Sequence, residues 1–434
     1  MEILNGKCRC SCGKYHDGLL KDCIIGAGAV SRVGALAKKY GATQAFLLAD
    51  ENTFAVAGSQ VTASLQSVGI TCTRYVFPHS PKPDEAAVGS AVMHYDSRCN
   101  IVIGIGSGVI NDIGKILARL TGNPYIIVAT APSMDGYASA TSSMEVDGLK
   151  VSLPSKCADG VIGDTDILKN APRRMQISGL GDMLAKYVSI CEWRISHLIT
   201  GEYYCAEVAA LIRNAVKKCT ENAAGLLAGE EKAVAAVFEG LILGGVAMNY
   251  AGLSRPASGV EHYFSHVWDM RGLEFGTSVD FHGIQCAAGT LYATKIYEQL
   301  KTIRPDREKA LAFVRQFDRQ AHFDDLCAFL GKGAEAMIAA EEKDGKYDPA
   351  RHAQRLEIIL SHWVDILQIM DEELLPSADL EALLKMLDAP KTAGEMGMDE
   401  RIVPMTFRAT KDIRDKYVLS RLCWDLGVLE DIKL

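Results

Sequence analysis

The spacing of apolar residues changes near residue 165, and this change constrains the fold more than any other feature of the chain. Before that point, short apolar runs alternate with stretches of about ten residues whose apolar positions recur at helical spacing. Such alternation is typical of βαβ units that build a parallel sheet. A hairpin is expected over Met144–Leu153, because Asp147-Gly148 suits a tight turn with positive φ. The predicted strands are Asp22–Ile25, Ala45–Ala49, Thr71–Phe77, Ile101–Gly104 and Tyr125–Ala129.

From Pro172 onward the pattern is helical, with almost no strand-like runs. The charged segment Gly331–Arg355 is expected to be solvated. The sequence therefore predicts a Rossmann-like α/β nucleotide-binding domain with a mostly parallel sheet over residues 1–167, followed by an all-α domain over residues 168–434. Two domains also suit a chain of 434 residues. Helices are predicted over Gly181–Ser196, Tyr203–Ala224, Glu231–Ala251, Val260–Val267 and Gly283–Leu300.

Composition narrows the classes of partner. The net charge is −8 and no local basic stripe stands out, so nucleic acid is a poor partner. No apolar run approaches the ~20 residues of a membrane span, and the first residues lack the apolar core of a signal peptide. The 13 cysteines are odd in number and scattered, which favours reduced thiols in a cytoplasmic protein.

A glycine-rich turn follows the predicted strand Ile101–Gly104. Gly106, Ser107 and Gly108 lead into a helix, and backbone N–H groups at such a helix start attract phosphate. The third glycine falls one place too early for the dinucleotide-binding fingerprint. A tight structural turn therefore remains the alternative to phosphate binding.

Two further strand ends carry polar groups. Asp50 follows the strand Ala45–Ala49, where an acid can accept hydrogen bonds from a ribose or can simply cap the next helix. The segment Thr130–Ser139 follows another strand and gathers small hydroxyl residues around Asp135. Ligands of open α/β sheets bind at such carboxyl ends, although a capped loop is the alternative.

One carboxylate and several imidazoles form a candidate metal site. Asp182 lies at a predicted helix start, and His262 and His266 are four residues apart, which places them on one helix face. His282 opens another helix. An aspartate and two histidines form a sound ligand set for Zn²⁺ or another divalent transition metal, with one position left open. Packed or capping histidines are the alternative.

The N-terminal segment holds three thiols and an imidazole: Cys8, Cys10, Cys12 and His16. This set is able to bind zinc, but the second Cys-x-x-Cys pair that would close a tetrahedron is missing. An incidental exposed strand and turn is the favoured interpretation.

Taken together, these motifs resemble those of the sn-glycerol-1-phosphate dehydrogenases. That family belongs to the group that contains glycerol dehydrogenase, iron-type alcohol dehydrogenases and dehydroquinate synthase, so the resemblance implies a dehydroquinate synthase-like fold. It extends over roughly residues 20–430. The run Ser254-Arg-Pro-Ala-Ser-Gly-Val-Glu-His-Tyr-Phe-Ser-His266 is its most specific part, since the glycerol dehydrogenases lack it.

The resemblance implies a role for each matching residue. Asp182, His262 and His282 match metal ligands. Asp135 and His266 match substrate contacts, and Asp182 is counted with them among the catalytic residues. Lys186 stands where the iron alcohol dehydrogenases place a fourth ligand, which favours a three-ligand zinc-like site. The nicotinamide nucleotide contacts match Asp50, Gly106, Ser107, Gly108, Val109, Ile110, Asn111, Asp112, Thr130, Ala131, Pro132, Ser133 and Ser139.

The implied reaction is hydride transfer between NAD(H) or NADP(H) and dihydroxyacetone phosphate, giving sn-glycerol 1-phosphate. One divalent ion, zinc or alternatively nickel, would polarise the substrate oxygen. Candidates for the phosphate counter-charge are Arg255, Lys186 and Arg271. Three alternatives stay open: a glycerol dehydrogenase, a dehydroquinate synthase-like lyase and a non-enzymatic nucleotide sensor. The sequence leaves the oligomeric state open, with a homo-oligomer as one alternative.

Overall fold

The computed structural model describes residues 10–434 and divides into two compact units. The sheet unit contains the residues up to Met183 together with Glu207–Ser254. The helical unit contains Leu184–Ala206 and Arg255–Leu434. The last strand of the sheet ends at Asp164, so the change in secondary structure falls where the apolar spacing changes. The sequence analysis predicted one domain boundary, between residues 167 and 168, whereas each compact unit here combines two separate segments of the chain. The predicted boundary stays a prediction.

Six parallel strands form the sheet in the order β1-β8-β5-β4-β2-β3. The predicted parallel sheet is therefore confirmed, although the sequence analysis missed β8. The strands are β1 Asp22–Gly26, β2 Gln44–Asp50, β3 Thr71–Phe77, β4 Ile101–Gly106, β5 Tyr125–Ala129 and β8 Gly160–Asp164. Thr141–Val146 and Leu149–Pro154 form the antiparallel hairpin β6–β7, and its turn residues Asp147 and Gly148 have the expected positive φ of 52° and 76°.

The helices of the sheet unit occupy the connections between strands and the stretch after β8. Short 3-10 segments lie at Ala29–Arg32 and Gly136–Ala138, and a π-helical segment lies at Phe54–Gly58. The α-helices are α1 Val33–Lys39, α2 Glu51–Thr53, α3 Ser59–Ser67, α4 Glu85–Met93, α5 Gly108–Thr121, α6 Thr165–Leu168, α7 Arg173–Leu184, α9 Ala206–Glu221, α10 Ala223–Leu227 and α11 Glu231–Ala251.

All regular elements of the helical unit are helices, within the described residues. Three 3-10 segments lie at Gly394–Met396, Glu400–Ile402 and Leu429–Asp431. The α-helices are α8 Lys186–Thr200, α12 Val260–Phe275, α13 His282–Lys301, α14 Arg307–Gln316, α15 Arg319–Leu330, α16 Lys332–Asp344, α17 Pro349–Ser361, α18 Trp363–Glu373, α19 Ser377–Met386, α20 Val403–Thr410 and α21 Leu419–Asp425.

Two predicted segments differ from the structure. The helix predicted over Gly181–Ser196 is two helices, α7 and α8, interrupted at Ala185. Asp182 therefore lies in the last turn of α7, and its predicted position at a helix start is wrong. The segment Gly331–Arg355 is not simply solvated, because α16 and α17 bury one face of it. Glu341 is 1% exposed there, and Lys346 Nζ neutralises its carboxylate at 2.6 Å. A charged composition therefore concealed an amphipathic helix pair.

Helix α11 is long and apolar enough to cross a membrane by length and composition, but 78% of its most apolar window is buried inside the protein. It packs closely against strand β8 because position 163 of that strand is a glycine. A Cβ atom at Gly163 would lie 2.2 Å from the Phe238 ring, so the aromatic side chain occupies the space that Gly163 leaves. This burial is that of a core helix.

Helix α7 lies close to the segment Thr130–Ser139 that follows β5. A Cβ atom at Gly179 would stand 1.8 Å from the carbonyl oxygen of Pro132. On the same helix, Ser178 Oγ donates to the Ser133 carbonyl oxygen at 2.9 Å. The close approach therefore depends on a glycine at position 179.

We expect Gly179→Ala to destabilise the protein by about 1–3 kcal/mol or more, because the methyl group meets backbone rather than a movable side chain. Gly89→Ala in α4 is the matched control. No atom lies within 4 Å of its added Cβ, so better helix propensity should stabilise by about 0.5–1 kcal/mol. Chemical denaturation measures both variants, and equal stability of Gly179→Ala and the wild type would contradict this account.

Candidate active site

The carboxyl ends of three neighbouring strands bring the predicted cofactor residues of the sheet unit together. In the sheet register Ala49 pairs with Ile105, and Gly106 pairs with Ala129. Asp50, Ser107 and Thr130 each come one residue after these paired positions, so they lie along one edge. This edge is where open α/β sheets bind their ligands.

The turn after β4 is shaped for close backbone approach. Helix α5 begins at Gly108 with Ser107 as its N-cap, which leaves the first amides of a 14-residue helix at the sheet edge. A Cβ atom at Gly106 would lie 2.6 Å from Ile110, so a side chain is excluded there. Asn111 Oδ1 is buried and has no hydrogen-bond partner in the described part of the chain. Bare amides and a buried unpaired acceptor fit a bound nucleotide.

A buried lysine that the sequence analysis missed holds the segment Thr130–Ser139. Lys115 Nζ donates to the carbonyl oxygens of Gly136 at 3.1 Å and Thr141 at 2.5 Å, and to Ser139 Oγ at 3.2 Å. It also pairs with Asp112 Oδ1 at 2.9 Å. Burial raises the pKa of Asp112, and the ammonium of Lys115 opposes this rise. Asp112 and Ser139, both predicted cofactor contacts, thus also organise the loop.

Asp50 caps a helix. Its Oδ1 accepts from the Thr53 backbone N–H at 2.8 Å, and Thr53 Oγ1 accepts from the Asp50 N–H at 3.0 Å, which completes a capping box. The structural alternative named for Asp50 is therefore present. Its contact with a ribose stays a prediction.

The two carboxylates of the sheet unit lie at the contact between α7 and the loop. Asp182 is fully buried, and its Oδ2 accepts from the Asp135 backbone N–H at 2.9 Å. On α11, a Cβ atom at Gly244 would lie 3.3 Å from Asp135 Oδ2, and one at Gly245 would lie 3.0 Å from Ala138 Cβ. Asp135 is thus held by the Asp182 carboxylate on α7 and by the glycine surface of α11.

The predicted histidines of the helical unit come together. The ring centroids of His262 and His282 are 5.1 Å apart, and those of His266 and His282 are 6.2 Å apart. His262 Nδ1 lies 2.8 Å from Glu261 Oε1, and His282 Nδ1 lies 3.1 Å from Ser265 Oγ. With both Nδ1 atoms engaged, each ring would present Nε2 to a metal ion, which is the usual arrangement of metal-binding histidines.

Cys286 is a potential donor that the sequence analysis missed. Its Sγ lies 3.6 Å from His282 Nε2. His262, His282 and Cys286 each offer a ligand atom within 4.8 Å of the others. The available signal was the spacing of four residues between His282 and Cys286 on one helix.

Behind His262 lie two buried carboxyl groups. Glu192 accepts from the backbone N–H of Val260 at 2.9 Å and of Leu419 at 2.7 Å. Burial, followed by the nearby charge of Glu261, raises the pKa of Glu192 to about 8. Glu261 also accepts from the Gly259 N–H at 2.6 Å. A carboxylate fixed in this way orients the His262 ring.

The three candidates for a phosphate counter-charge have separate environments. Arg255 is buried, and its Nε and Nη2 donate to Glu202 at 2.9 and 2.7 Å. The Arg271 guanidinium stacks on the Phe329 ring at 4.2 Å. Lys186 is fully buried at the start of α8. The charge of Arg255 is therefore already matched within the chain.

Comparisons with known proteins first define the class. Glycerol dehydrogenase from Schizosaccharomyces pombe superposes with a TM-score of 0.63 at 18% identity, covering 95% of this chain and 89% of that one. Maleylacetate reductase from Rhizobium sp. strain MTP-10005 superposes with a TM-score of 0.63 at 14% identity, covering 99% and 97%. The sequence profile described as iron-containing alcohol dehydrogenase matches residues 24–172. The fold is that of the iron-type alcohol and glycerol dehydrogenases.

Sequence relatives then define the family. Glycerol-1-phosphate dehydrogenase (NAD(P)+) from Halalkalibacterium halodurans is 31% identical over 365 residues, which cover 79% of this chain and 92% of that protein. A protein of the same name from Methanothrix thermoacetophila is 35% identical over 274 residues, covering 62% and 74%. The chain belongs to the glycerol-1-phosphate dehydrogenase family, and the resemblance inferred from its motifs is confirmed.

Proposed function

We propose that this enzyme interconverts dihydroxyacetone phosphate and sn-glycerol 1-phosphate with a nicotinamide cofactor. The observation that carries the proposal is the group of three imidazoles on α12 and α13, within the run Ser254–His266 and at His282. Family membership supports the same substrate, since the relatives of 31% and 35% identity are named for it. The enzyme is an oxidoreductase that we place in the cytoplasm as a homo-oligomer.

Asp182, His262 and His282 are the proposed ligands of one divalent ion, zinc or alternatively nickel. The engaged Nδ1 atoms of the two histidines support this assignment. When bound, the ion polarises the substrate carbonyl, and the nicotinamide supplies the hydride. Asp135 orients a substrate hydroxyl, and its fixed backbone suits that task. His266 holds the substrate oxygen or relays a proton, since imidazole titrates near neutral pH.

The cofactor site is proposed along the carboxyl edge of the sheet. The amides at the start of α5 bind the pyrophosphate, and Asp50 binds the adenosine ribose. Residues beside them complete the contacts; the full set is Asp50, Gly106, Ser107, Gly108, Val109, Ile110, Asn111, Asp112, Thr130, Ala131, Pro132, Ser133 and Ser139.

The reaction is tested by NADH oxidation after chelation and reloading with Zn²⁺ or Ni²⁺. We expect turnover with dihydroxyacetone phosphate that depends on the added metal, because the ligand set provides a Lewis-acid site. Dihydroxyacetone without phosphate and a dehydroquinate-pathway substrate complete the panel. Equal turnover of dihydroxyacetone would instead indicate a glycerol dehydrogenase. Phosphate release from the third compound without net NADH oxidation would indicate a lyase, because an elimination consumes no reductant.

His266→Ala is expected to retain the metal and to lower turnover of dihydroxyacetone phosphate about 100-fold, which corresponds to about 2.7 kcal/mol of transition-state stabilisation. The reason is that His266 follows His262 by one helical turn without belonging to the ligand set. His282→Ala is the matched control and should lose the metal itself. Metal analysis and steady-state kinetics are measured on the same samples. Loss of metal from His266→Ala would make it a ligand, and unchanged kinetics would make it a packing residue.

Asp50 should favour NADH over NADPH, because its charge repels a 2′-phosphate. The capping box allows this effect to be separated from stability. Asp50→Ser keeps a capping oxygen, whereas Asp50→Ala loses it and should cost about 1 kcal/mol of stability. Both variants should narrow the ratio of kcat/KM for NADH and NADPH. A wild-type enzyme that already strongly prefers NADPH would refute this role.

A further inference from the structure

The thiols of Cys10 and Cys12 and the imidazole of His16 form a compact group that the proposed reaction does not use. Cys10, Cys12 and His16 each offer a ligand atom within 4.8 Å of the others. Cys12 Sγ lies 3.4 Å from His16 Nε2. Donor atoms at this separation can share one zinc ion, since Zn–S and Zn–N bonds measure about 2.3 and 2.0–2.1 Å. Cys8 lies outside the described residues.

The backbone around these residues forms a tight turn. The Gly13 N–H donates to the Cys10 carbonyl oxygen at 2.9 Å, and the Cys10 N–H donates to the Lys14 carbonyl oxygen at 3.0 Å. Gly13 has φ +85°, a left-handed conformation that side chains disfavour. The turn reverses the chain between Cys12 and His16, so residues four apart meet without a helix.

His16 is held in the orientation that a zinc ligand needs. It is 5% exposed, and its Nδ1 lies 3.1 Å from the carbonyl oxygen of Tyr250 at the end of α11. A carbonyl can only accept, so Nδ1 carries the proton and Nε2 faces the thiol as a donor atom. A carbonyl partner on the second ring nitrogen is typical of zinc-binding histidines.

We propose that Cys10, Cys12 and His16 bind a structural zinc ion, separate from the catalytic ion. Two thiolates and an imidazole are soft and borderline donors that select zinc over magnesium or calcium. The remaining tetrahedral position is completed by a further donor atom. This proposal departs from the favoured sequence interpretation of an incidental strand and turn.

The site would join the N-terminal segment to α11. Besides the His16 contact to Tyr250, Lys14 Nζ donates to the Ala251 carbonyl oxygen at 3.4 Å. These are the last two residues of α11, the helix on which the Asp135 loop rests. A zinc ion there would therefore stabilise the sheet unit without entering the reaction.

The full chain loaded with zinc and freed of excess metal is expected to bind two ions, measured by elemental analysis. Cys12→Ser and His16→Ala should each lose one ion and show a melting temperature several degrees lower, yet keep the second ion. Cys327→Ser, which removes an exposed thiol elsewhere, should keep both ions and the wild-type melting temperature.

Cobalt supplies an independent readout. Co²⁺ in place of zinc should give a thiolate-to-metal charge-transfer band that Cys12→Ser abolishes and Cys286→Ser retains. His282→Ala should lose only the catalytic ion, so a failure of the proposed catalytic site would leave this result unaffected. Unchanged zinc content in both Cys12→Ser and His16→Ala, or no such band at the N-terminal site, would overturn the proposal.

Discussion

A buried ammonium group organises the loop on which the proposed chemistry depends. Lys115 carries its charge into the interior of the sheet unit, where an unpaired cation would be prohibitively costly. Asp112 balances the charge, and the carbonyl oxygens of Gly136 and Thr141 use the remaining N–H groups. The helix whose first amides we propose as the pyrophosphate site and the loop that carries Asp135 are thereby fixed to one another. Such a fully satisfied buried network rigidifies its surroundings.

Much of this fold could be predicted from apolar spacing. Period-two and continuous apolar runs indicated five of the six strands of the sheet, and the boundaries of α11 were predicted to the residue. The spacing of four between His262 and His266 correctly placed both on one face of α12. These predictions succeeded because they depend on neighbours along the chain, where propensity and periodicity act directly.

The rest depended on contacts between distant segments. Lys115 and Glu192 are charged residues that would ordinarily be assigned to the surface, and only their partners reveal why they are buried. Asp50 differs from these two residues, because its position after a strand allowed two roles from the sequence alone. The structure shows the helix cap, and the ribose contact stays a prediction. Near the N-terminus, the potential zinc ligands could be recognised in the sequence. The Tyr250 carbonyl that orients His16 could not, because it lies more than two hundred residues away along the chain.

The glycine pair on α11 has a consequence for how this enzyme can diversify. Gly244 and Gly245 leave a stretch of helix without side chains, and the loop from Asp135 to Ala138 lies directly on that bare surface. On this side the loop therefore rests on helix backbone, while the side chains of Lys115 and Asp182 hold it elsewhere. The surface beneath the loop tolerates no growth, because a Cβ atom at either glycine would lie close to loop atoms. Directed evolution of substrate scope should accordingly leave this stretch of α11 unchanged, as a fixed base for the loop.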